Sequence, residues 1–190
     1  MKLKSNQLNF TPRTICEVGT GGSTCVLQCE DLLHLESNFI FVEANPLSFA
    51  IIKENFGDKD NFKLYNVAVA DENKKGTYYT QRANEEDASG YIDGINSSAM
   101  VKGLGSRFNN AIEVDFIKFS EIDDGTIDLL IADIEGAEYF LLKHLVSRPK
   151  LIVLEIAFQD KLTEINDWMK QNDYTQIAVV EEDGLFARNY

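Results

Sequence analysis

The chain has 190 residues, of which 44% are hydrophobic, so one domain over residues 1–190 can bury a sizeable core. Its 18 Lys and Arg against 31 Asp and Glu leave a formal net charge of −13. This excess argues against nucleic acid and an anionic membrane surface, because both are bound through clustered Lys and Arg. No signal peptide or membrane helix is evident. We therefore expect a cytoplasmic protein whose ligand is small and neutral or cationic.

Short apolar runs alternate with helical patterns along the first part of the chain, which is typical of a parallel sheet with crossover helices. Ser23 is a predicted N-cap, and Pro46 suits a first helical turn. In chain order, the sequence predicts a strand at 14–18, a helix from Ser23 to about Glu36, a strand at 39–43, a helix at 45–56, a strand at 62–70 and an extra strand at 76–81.

The stretch from Arg82 to Asn110 is irregular and rich in polar residues, which favours a functional loop or lid. Regular patterns then resume. They predict an extended run at 112–117, a strand at 127–132, a helix at 136–148, a strand at 151–156, a helix at 161–172 and a closing antiparallel hairpin at 174–180 and 185–189. The whole pattern predicts a Rossmann-like α/β fold: a doubly wound, seven-stranded, mostly parallel sheet with an antiparallel C-terminal hairpin and helices on both faces.

Two features at predicted strand ends indicate a ligand, since open α/β sheets bind ligands beyond the carboxyl ends of their strands. The first strand runs into EVGTGGS, whose Gly19 and Gly21 allow a tight turn and close approach of the backbone. Alone, this turn is a weak signal, because the third glycine of the dinucleotide motif falls at Thr24. Glu43 ends the second strand, where a carboxylate can accept both hydroxyls of a ribose. Together the two features favour an adenosine-containing ligand.

Glu17 separates two classes of such ligands. A carboxylate beside the glycine turn repels the pyrophosphate of a dinucleotide and attracts the sulfonium and ammonium groups of S-adenosylmethionine. The Coulomb energy is about 4 kcal/mol at about 4 Å in a surface-like dielectric, enough to decide between them. The structural alternative is that Glu17 points away or forms a salt bridge with Arg13 or a later lysine. We prefer the methyl donor.

The string DIEGAE follows the strand at 127–132 directly. Acidic residues are favourable in a first helical turn, and this accounts for Glu135 and Glu138. It accounts less well for Asp133, which we expect to face the ligand cleft.

From EVGTGGS through FVEANP, NVAVAD, SSAM and DIEGAE to LIVLEI, the sequence resembles the FkbM-type methyltransferases of the seven-strand S-adenosylmethionine-dependent class. The resemblance implies methylation of a hydroxyl group on a small molecule or sugar. It places the glycine loop on the methionine part of the donor, Glu43 on its ribose, and Asp133 between donor and acceptor. The donor-binding residues implied in this way are Glu17, Gly19, Thr20, Gly21, Ser23, Glu43, Ala44, Asn45, Asn66, Val67, Ala68 and Asp133, with Ser97, Ser98 and Glu155 on the acceptor side.

The expected chemistry is a direct methyl transfer in which the protein aligns the acceptor oxygen. A base that removes the hydroxyl proton adds about 10²–10⁴-fold. Asp133 is the first candidate for this catalytic role, followed by Glu135 and Glu155. No spacing of residues demands a metal ion, although a magnesium-assisted variant stays open.

Two departures from the family pattern keep another function open. Ile131 stands where the family often has a lysine, and only about a dozen residues precede the first strand. They motivate a non-catalytic nucleotide-binding or interaction module with a methyltransferase fold. The short N-terminal segment also leaves open a site completed by another subunit in a homo-oligomer. A nicotinamide-dependent dehydrogenase is disfavoured by Glu17 and the missing glycine.

Overall fold

The fold is taken from a computed structural model, which describes residues 4, 6, 8–21, 29–80, 90–92, 110–157 and 160–189. Within these ranges the chain forms strands, three helices, and 3₁₀ turns at Glu30–Leu32 and Phe119–Glu121. In chain order the strands and helices are β1 (Thr14–Val18), β2 (Asn38–Val42), α1 (Pro46–Phe56), β3 (Phe62–Tyr65), β4 (Ala68–Val69), β5 (Lys74–Thr80), β6 (Gly90–Ile92), β7 (Asn110–Ile117), β8 (Leu129–Ala132), α2 (Glu138–Lys143), β9 (Leu151–Glu155), α3 (Leu162–Gln171), β10 (Tyr174–Val180) and β11 (Asp183–Arg188).

A seven-stranded sheet forms the centre of the fold, in the order β10-β11-β9-β8-β1-β2-β3. Strand β11 runs antiparallel to both of its neighbours, and the other pairs are parallel. The predicted mostly parallel sheet with a C-terminal antiparallel hairpin is therefore confirmed. Strands are added outward from β1 in one direction and then from β8 in the other, so the topological switch point lies between β1 and β8. Ligands of such sheets bind at this point.

Alternate residues of the strands supply two hydrophobic cores, one on each face of the sheet. Cys16 and Val18 of β1 belong to the core that contains Leu141 of α2 and Ile165 of α3. On the other face, Ile15 belongs to the core that includes the 3₁₀ turn at Glu30–Leu32 and Ile52 of α1. Both faces are covered by helical segments, as predicted.

A second sheet contains β4, β7, β5 and β6 in that order. Its presence corrects the single strand predicted at 62–70, because β3 joins the large sheet while β4 pairs with β7. The break falls at Asn66, whose side-chain amide donates to the carbonyl oxygens of Glu43 (2.8 Å) and Ala44 (3.2 Å). The chain is thereby tied to the end of β2 and redirected into the second sheet.

The predicted helix at 136–148 is shorter than expected, because α2 has only six residues. Its start is delayed by positive φ angles at Glu135 (56°) and Gly136 (102°), which do not fit a right-handed helix. Its end is set by the buried carboxylate of Asp123, which accepts from the backbone amides of Val146 (2.7 Å) and Ser147 (2.6 Å).

Two other predicted segments lie partly outside the described residues. The helix expected from Ser23 to about Glu36 is described only from residue 29, where the 3₁₀ turn at Glu30–Leu32 is found instead of a continuous helix. The irregular segment from Arg82 to Asn110 is described only at β6 and at Asn110, so its interpretation as a lid stays a prediction. No helix in the described ranges is long and apolar enough to cross a bilayer.

Candidate functional site

A cavity lies at the carboxyl ends of β1, β2 and β8 and extends to the second sheet. It contains the switch point between β1 and β8, where the topology predicts a ligand. The structure brings together at this cavity the predicted site residues Gly19, Glu43, Ala44, Val67, Ala68, Asp133 and Glu135.

The backbone after β1 fits closely between its two neighbouring strands. The amide of Gly19 donates to the carbonyl of Val42 at 2.9 Å, and the amide of Asp133 donates to the carbonyl of Val18 at 3.1 Å. Gly19 has a φ of +82°, and a Cβ atom placed on it would lie 1.9 Å from the carbonyl oxygen of Asp133. A glycine is therefore needed here both for its conformation and for its lack of volume.

Glu43 connects the end of β2 to the glycine loop. Its Oε2 accepts from the amide of Gly21 and its Oε1 from the amide of Asn45, both at 2.7 Å, and the residue is 5% exposed. Burial raises the pKa of this carboxyl to about 7, against the lowering effect of hydrogen bonds from the backbone amides of Asn45, Gly21 and Ala44 and from the Thr20 side chain. Glu43 lines the cavity, where a carboxylate can accept hydrogen bonds from ligand hydroxyl groups.

Thr20 supplies a buried polar group next to Glu43. The residue is completely buried, and its hydroxyl lies close enough to the Glu43 carboxyl group to lower the pKa of that carboxyl. The two side chains thus belong to one polar cluster at the glycine loop.

Three other predicted donor-binding residues are occupied in the surrounding framework. Glu17 shares a face of β1 with Ile15, and its Oε2 accepts from the backbone amide of Cys29 at 3.0 Å. Asn45 accepts from the amide of Leu47 at 3.0 Å and so caps α1, while Asn66 bonds to the backbone after β2 as described above. These residues do not line the cavity, and their predicted contacts with a donor stay predictions.

Asp133 and Glu135 lie on the turn that follows β8, and both residues line the cavity. Burial is the main cause that raises the pKa of Asp133 to about 6, that of Glu135 to about 8 and that of Glu155 to about 9. Charge repulsion among nearby carboxylates adds to it: Asp133 raises the pKa of Glu135, and both raise that of Glu155. Glu155 ends β9 and is not among the residues that line the cavity, so its predicted role on the acceptor side stays a prediction.

These shifts predict a pH-dependent stability. The folded protein holds protons on Glu43, Asp133, Glu135 and Glu155 that the unfolded chain, with ordinary carboxyl pKa values near about 4, releases. The resulting stabilisation is complete below about pH 4 and is lost as the pH rises towards about 9. The free energy of unfolding should therefore decrease from about pH 5.5 to about pH 9, by about 1.4 kcal/mol per pH unit for each proton held only by the folded state.

Urea unfolding at a series of pH values measures this slope. Glu155→Gln removes the group with the highest of the four pKa values, so it should flatten the slope most strongly above about pH 8. A free energy of unfolding that is constant or increases over this range would contradict the prediction.

The second sheet supplies site residues that the sequence did not predict, namely Val69, Tyr78, Gly90 and Ile92. The Tyr78 ring lies across Gly90, since a Cβ atom on this glycine would be 2.0 Å from the phenol oxygen. A glycine next to an aromatic residue on a paired strand is a recognisable signal of close approach. The sequence does not reveal this close approach, because the pairing of β5 with β6 was not predicted.

Three other predicted site residues lie outside the described part of the chain. Ser23, Ser97 and Ser98 fall outside the described residues. Among the residues that are described, no group of three or more His, Cys, Asp or Glu side chains is arranged to hold a metal ion.

The strand order, the glycine turn at the switch point and the carboxylate after β2 define a Rossmann-like nucleotide-site architecture. The family model described as "Methyltransferase FkbM domain" matches residues 20–175. The chain therefore belongs to the FkbM methyltransferase family.

Solved structures agree with this fold. The chain is similar to the methyltransferase FkbM of Methylobacillus flagellatus KT, with a TM-score of 0.58 and 10% sequence identity over 96% of this chain and 45% of that one. It is also similar to a candidate RNA methyltransferase of Pyrococcus horikoshii, with a TM-score of 0.51 and 12% identity over 94% of this chain and 73% of that one. The chain thus spans under half the length of the Methylobacillus protein. A comparison with curated protein sequences finds no match.

Proposed function

We propose that the chain is an S-adenosylmethionine-dependent methyltransferase that methylates a hydroxyl group on a small molecule or sugar. The observation that carries the proposal is Glu43, a buried carboxyl group after β2 that lines the same cavity as Asp133. Membership of the FkbM methyltransferase family supports it.

The residues at the cavity fit such a donor. Glu43 presents a carboxyl group for the ribose hydroxyls, Gly19 leaves room for close approach, and the buried Thr20 hydroxyl lies beside Glu43. When bound, S-adenosylmethionine supplies a methyl group already activated by its positive sulfonium.

Negative charge in the cavity suits a cationic donor. With pKa values of about 6 and about 8, Asp133 is mostly ionised at neutral pH while Glu135 is mostly protonated. Asp133 can therefore accept the proton of the acceptor hydroxyl as the carbon–oxygen bond forms and the carbon–sulfur bond breaks. Glu135 can donate a hydrogen bond to a neighbouring oxygen. Asp133 thus acts as the base and Glu135 as a hydrogen-bond donor.

The composition of the cavity also bears on the acceptor. Carboxyl groups of the turn after β8 occur together with the apolar surfaces of Val69, Tyr78 and Ile92. A sugar ring or a hydroxylated small molecule can donate hydrogen bonds from its hydroxyl groups to these carboxyl groups. It can also place an apolar face against the apolar side chains. This combination supports the acceptor class that the family resemblance implied.

Glu43→Ala should weaken the binding of S-adenosylhomocysteine by roughly 10–100-fold, because hydrogen bonds to a charged group contribute about 1.5–3 kcal/mol. Isothermal titration calorimetry with the full chain measures this change. Glu43→Gln, which keeps one acceptor oxygen, should bind with intermediate affinity. Glu54→Gln makes the same change of charge on the exposed side of α1 and should bind like the wild type.

Failure of the folded wild-type protein to bind S-adenosylhomocysteine at millimolar concentration would overturn the proposal. That result would favour the non-catalytic module. The acceptor class has a separate test, in which transfer of a labelled methyl group is compared between sugars, hydroxylated small molecules and RNA. Labelling of RNA alone would replace the proposed acceptor.

A further inference from the structure

Glu138 holds the turn that presents Asp133 and Glu135, although it belongs to neither the cavity lining nor the donor loop. Its Oε1 accepts from the backbone amide of Ile134 at 2.8 Å, and its Oε2 accepts from the backbone amide of Gly136 at 3.0 Å. The residue is completely buried. One side chain thus bridges two amides on either side of Glu135.

The turn needs such a restraint. Glu135 has a φ of 56° and Gly136 a φ of 102°, and the left-handed conformation at Glu135 is unfavourable for a residue with a Cβ atom. Such a conformation persists only where surrounding contacts determine it. The two hydrogen bonds that Glu138 accepts are contacts of this kind, because they fix the amides before and after Glu135.

Pairing with the dipole of α2 does not account for this arrangement. The helix has six residues and begins at Glu138 itself, so little dipole is available. The carboxyl group is also directed back to residues 134 and 136, which precede the helix. A role in helix stability alone would not require both carboxyl oxygens to be bonded to the turn.

We propose that Glu138 is a positioning residue for methyl transfer, which holds the Asp133–Glu135 turn in the conformation that directs these two carboxyl groups into the cavity. This inference rests on the proposed function, since it assumes that Asp133 and Glu135 meet the acceptor there. Glu138 acts mainly through the backbone, while its charge also raises the pKa of Glu135, and it has no contact with the reacting atoms.

Glu138→Gln is the main test. A glutamine has the same shape, but its amide nitrogen is a donor and faces one of the two backbone donors, so one hydrogen bond is lost. Hydrogen exchange at the amide of Ile134 or Gly136 should accelerate about 10-fold. With S-adenosylmethionine and an accepted substrate, kcat should fall about 10²-fold while KM and the affinity for S-adenosylhomocysteine stay near wild-type values.

Asp123→Asn is the matched control. Asp123 is also a buried carboxyl group that accepts from backbone amides, those of Gly125, Val146 and Ser147, but it is not among the residues that line the cavity. Its replacement should lower thermal stability and leave kcat near wild type in the folded protein. If Glu138→Gln does not fold, Glu138→Asp, which keeps the carboxyl group but shortens its reach, provides the same comparison.

The outcomes separate the two proposals. If kcat is unchanged in Glu138→Gln, whether or not hydrogen exchange at the two amides accelerates, Glu138 is not a positioning residue. The proposed methyltransferase function stands in that case. An equal loss of kcat in Asp123→Asn would show a general effect of stability and would also overturn the inference. If the wild-type protein neither binds S-adenosylhomocysteine nor transfers a methyl group, the proposed function itself fails.

Discussion

Asp133→Asn is expected to lower the rate of methyl transfer by about 10²–10⁴-fold while S-adenosylhomocysteine still binds. The asparagine keeps the size of the side chain on the cavity wall but cannot accept a proton from the acceptor hydroxyl. With a pKa raised only to about 6, Asp133 is the carboxyl group of this turn that is ionised at neutral pH. Single-turnover transfer, with the protein in excess over labelled donor, measures the chemical step without product release.

The pH profile of the wild-type protein gives an independent test of the same role. Because the base must be deprotonated, the rate should be low below about pH 6 and should rise through the pKa of Asp133. Glu135→Gln serves as the comparison, since a residue with a pKa of about 8 is mostly protonated at neutral pH and the glutamine can still donate a hydrogen bond. This variant should lose much less activity than Asp133→Asn.

Asp133→Asn should also distinguish the two forms of the cofactor. Removal of a negative charge weakens the attraction for the sulfonium of S-adenosylmethionine, whereas S-adenosylhomocysteine has no such charge. The affinity for S-adenosylmethionine should therefore fall relative to the affinity for S-adenosylhomocysteine. The opposite ranking of the variants, with Glu135→Gln inactive and Asp133→Asn active, would assign the base to Glu135.

The large sheet was predictable because its signals are local. The strand at 14–18 was predicted with the bounds that the structure has, since its five residues are all buried and a glycine turn follows. The strands before and after α2 were recognisable for a similar reason, as short apolar runs covered on both faces. Strand order then follows from the right-handed crossovers of parallel strands, so the switch point and its residues Gly19 and Asp133 could be anticipated.

The second sheet and the contacts that hold the cavity residues in place depend on residues far apart in the chain. The local sequence pattern does not contain such contacts. The division of 62–70 into two strands depends on the side-chain amide of Asn66, which reaches the backbone of residues 43 and 44. The placement of Tyr78 against Gly90 needs the register of two strands that flank a long segment. By contrast, the orientation of Glu17 was within reach of the sequence, because a residue two positions after Ile15 shares its face of the strand.

Gly19→Ala is expected to cause a large loss of stability. The residue has a φ of +82°, and the added Cβ atom would lie 1.9 Å from the carbonyl oxygen and 2.9 Å from the carbonyl carbon of Asp133. A contact this short with backbone requires β1 and β8 to separate at the switch point. The change should therefore destabilise the fold by at least about 3 kcal/mol, the sum of a left-handed alanine and an overpacked contact.

Gly125→Ala separates these two contributions. Gly125 has nearly the same conformation, with a φ of +87°, but an added Cβ atom would meet only a Val146 side-chain atom at an ordinary 3.9 Å. Its free energy of unfolding should decrease by about 1–2 kcal/mol, the conformational part alone. Urea unfolding of both variants measures the difference, which reports the contact between the two strands.

The same pair of variants relates the backbone contact to ligand binding. Separation of β1 from β8 moves the glycine turn away from Asp133, so Gly19→Ala should bind S-adenosylhomocysteine at least about 10-fold more weakly even where it is folded. Gly125→Ala, whose loop does not line the cavity, should bind normally. Equal stability and equal affinity in the two variants would mean that the loop relaxes around the methyl group, and that the close approach at the switch point is not required.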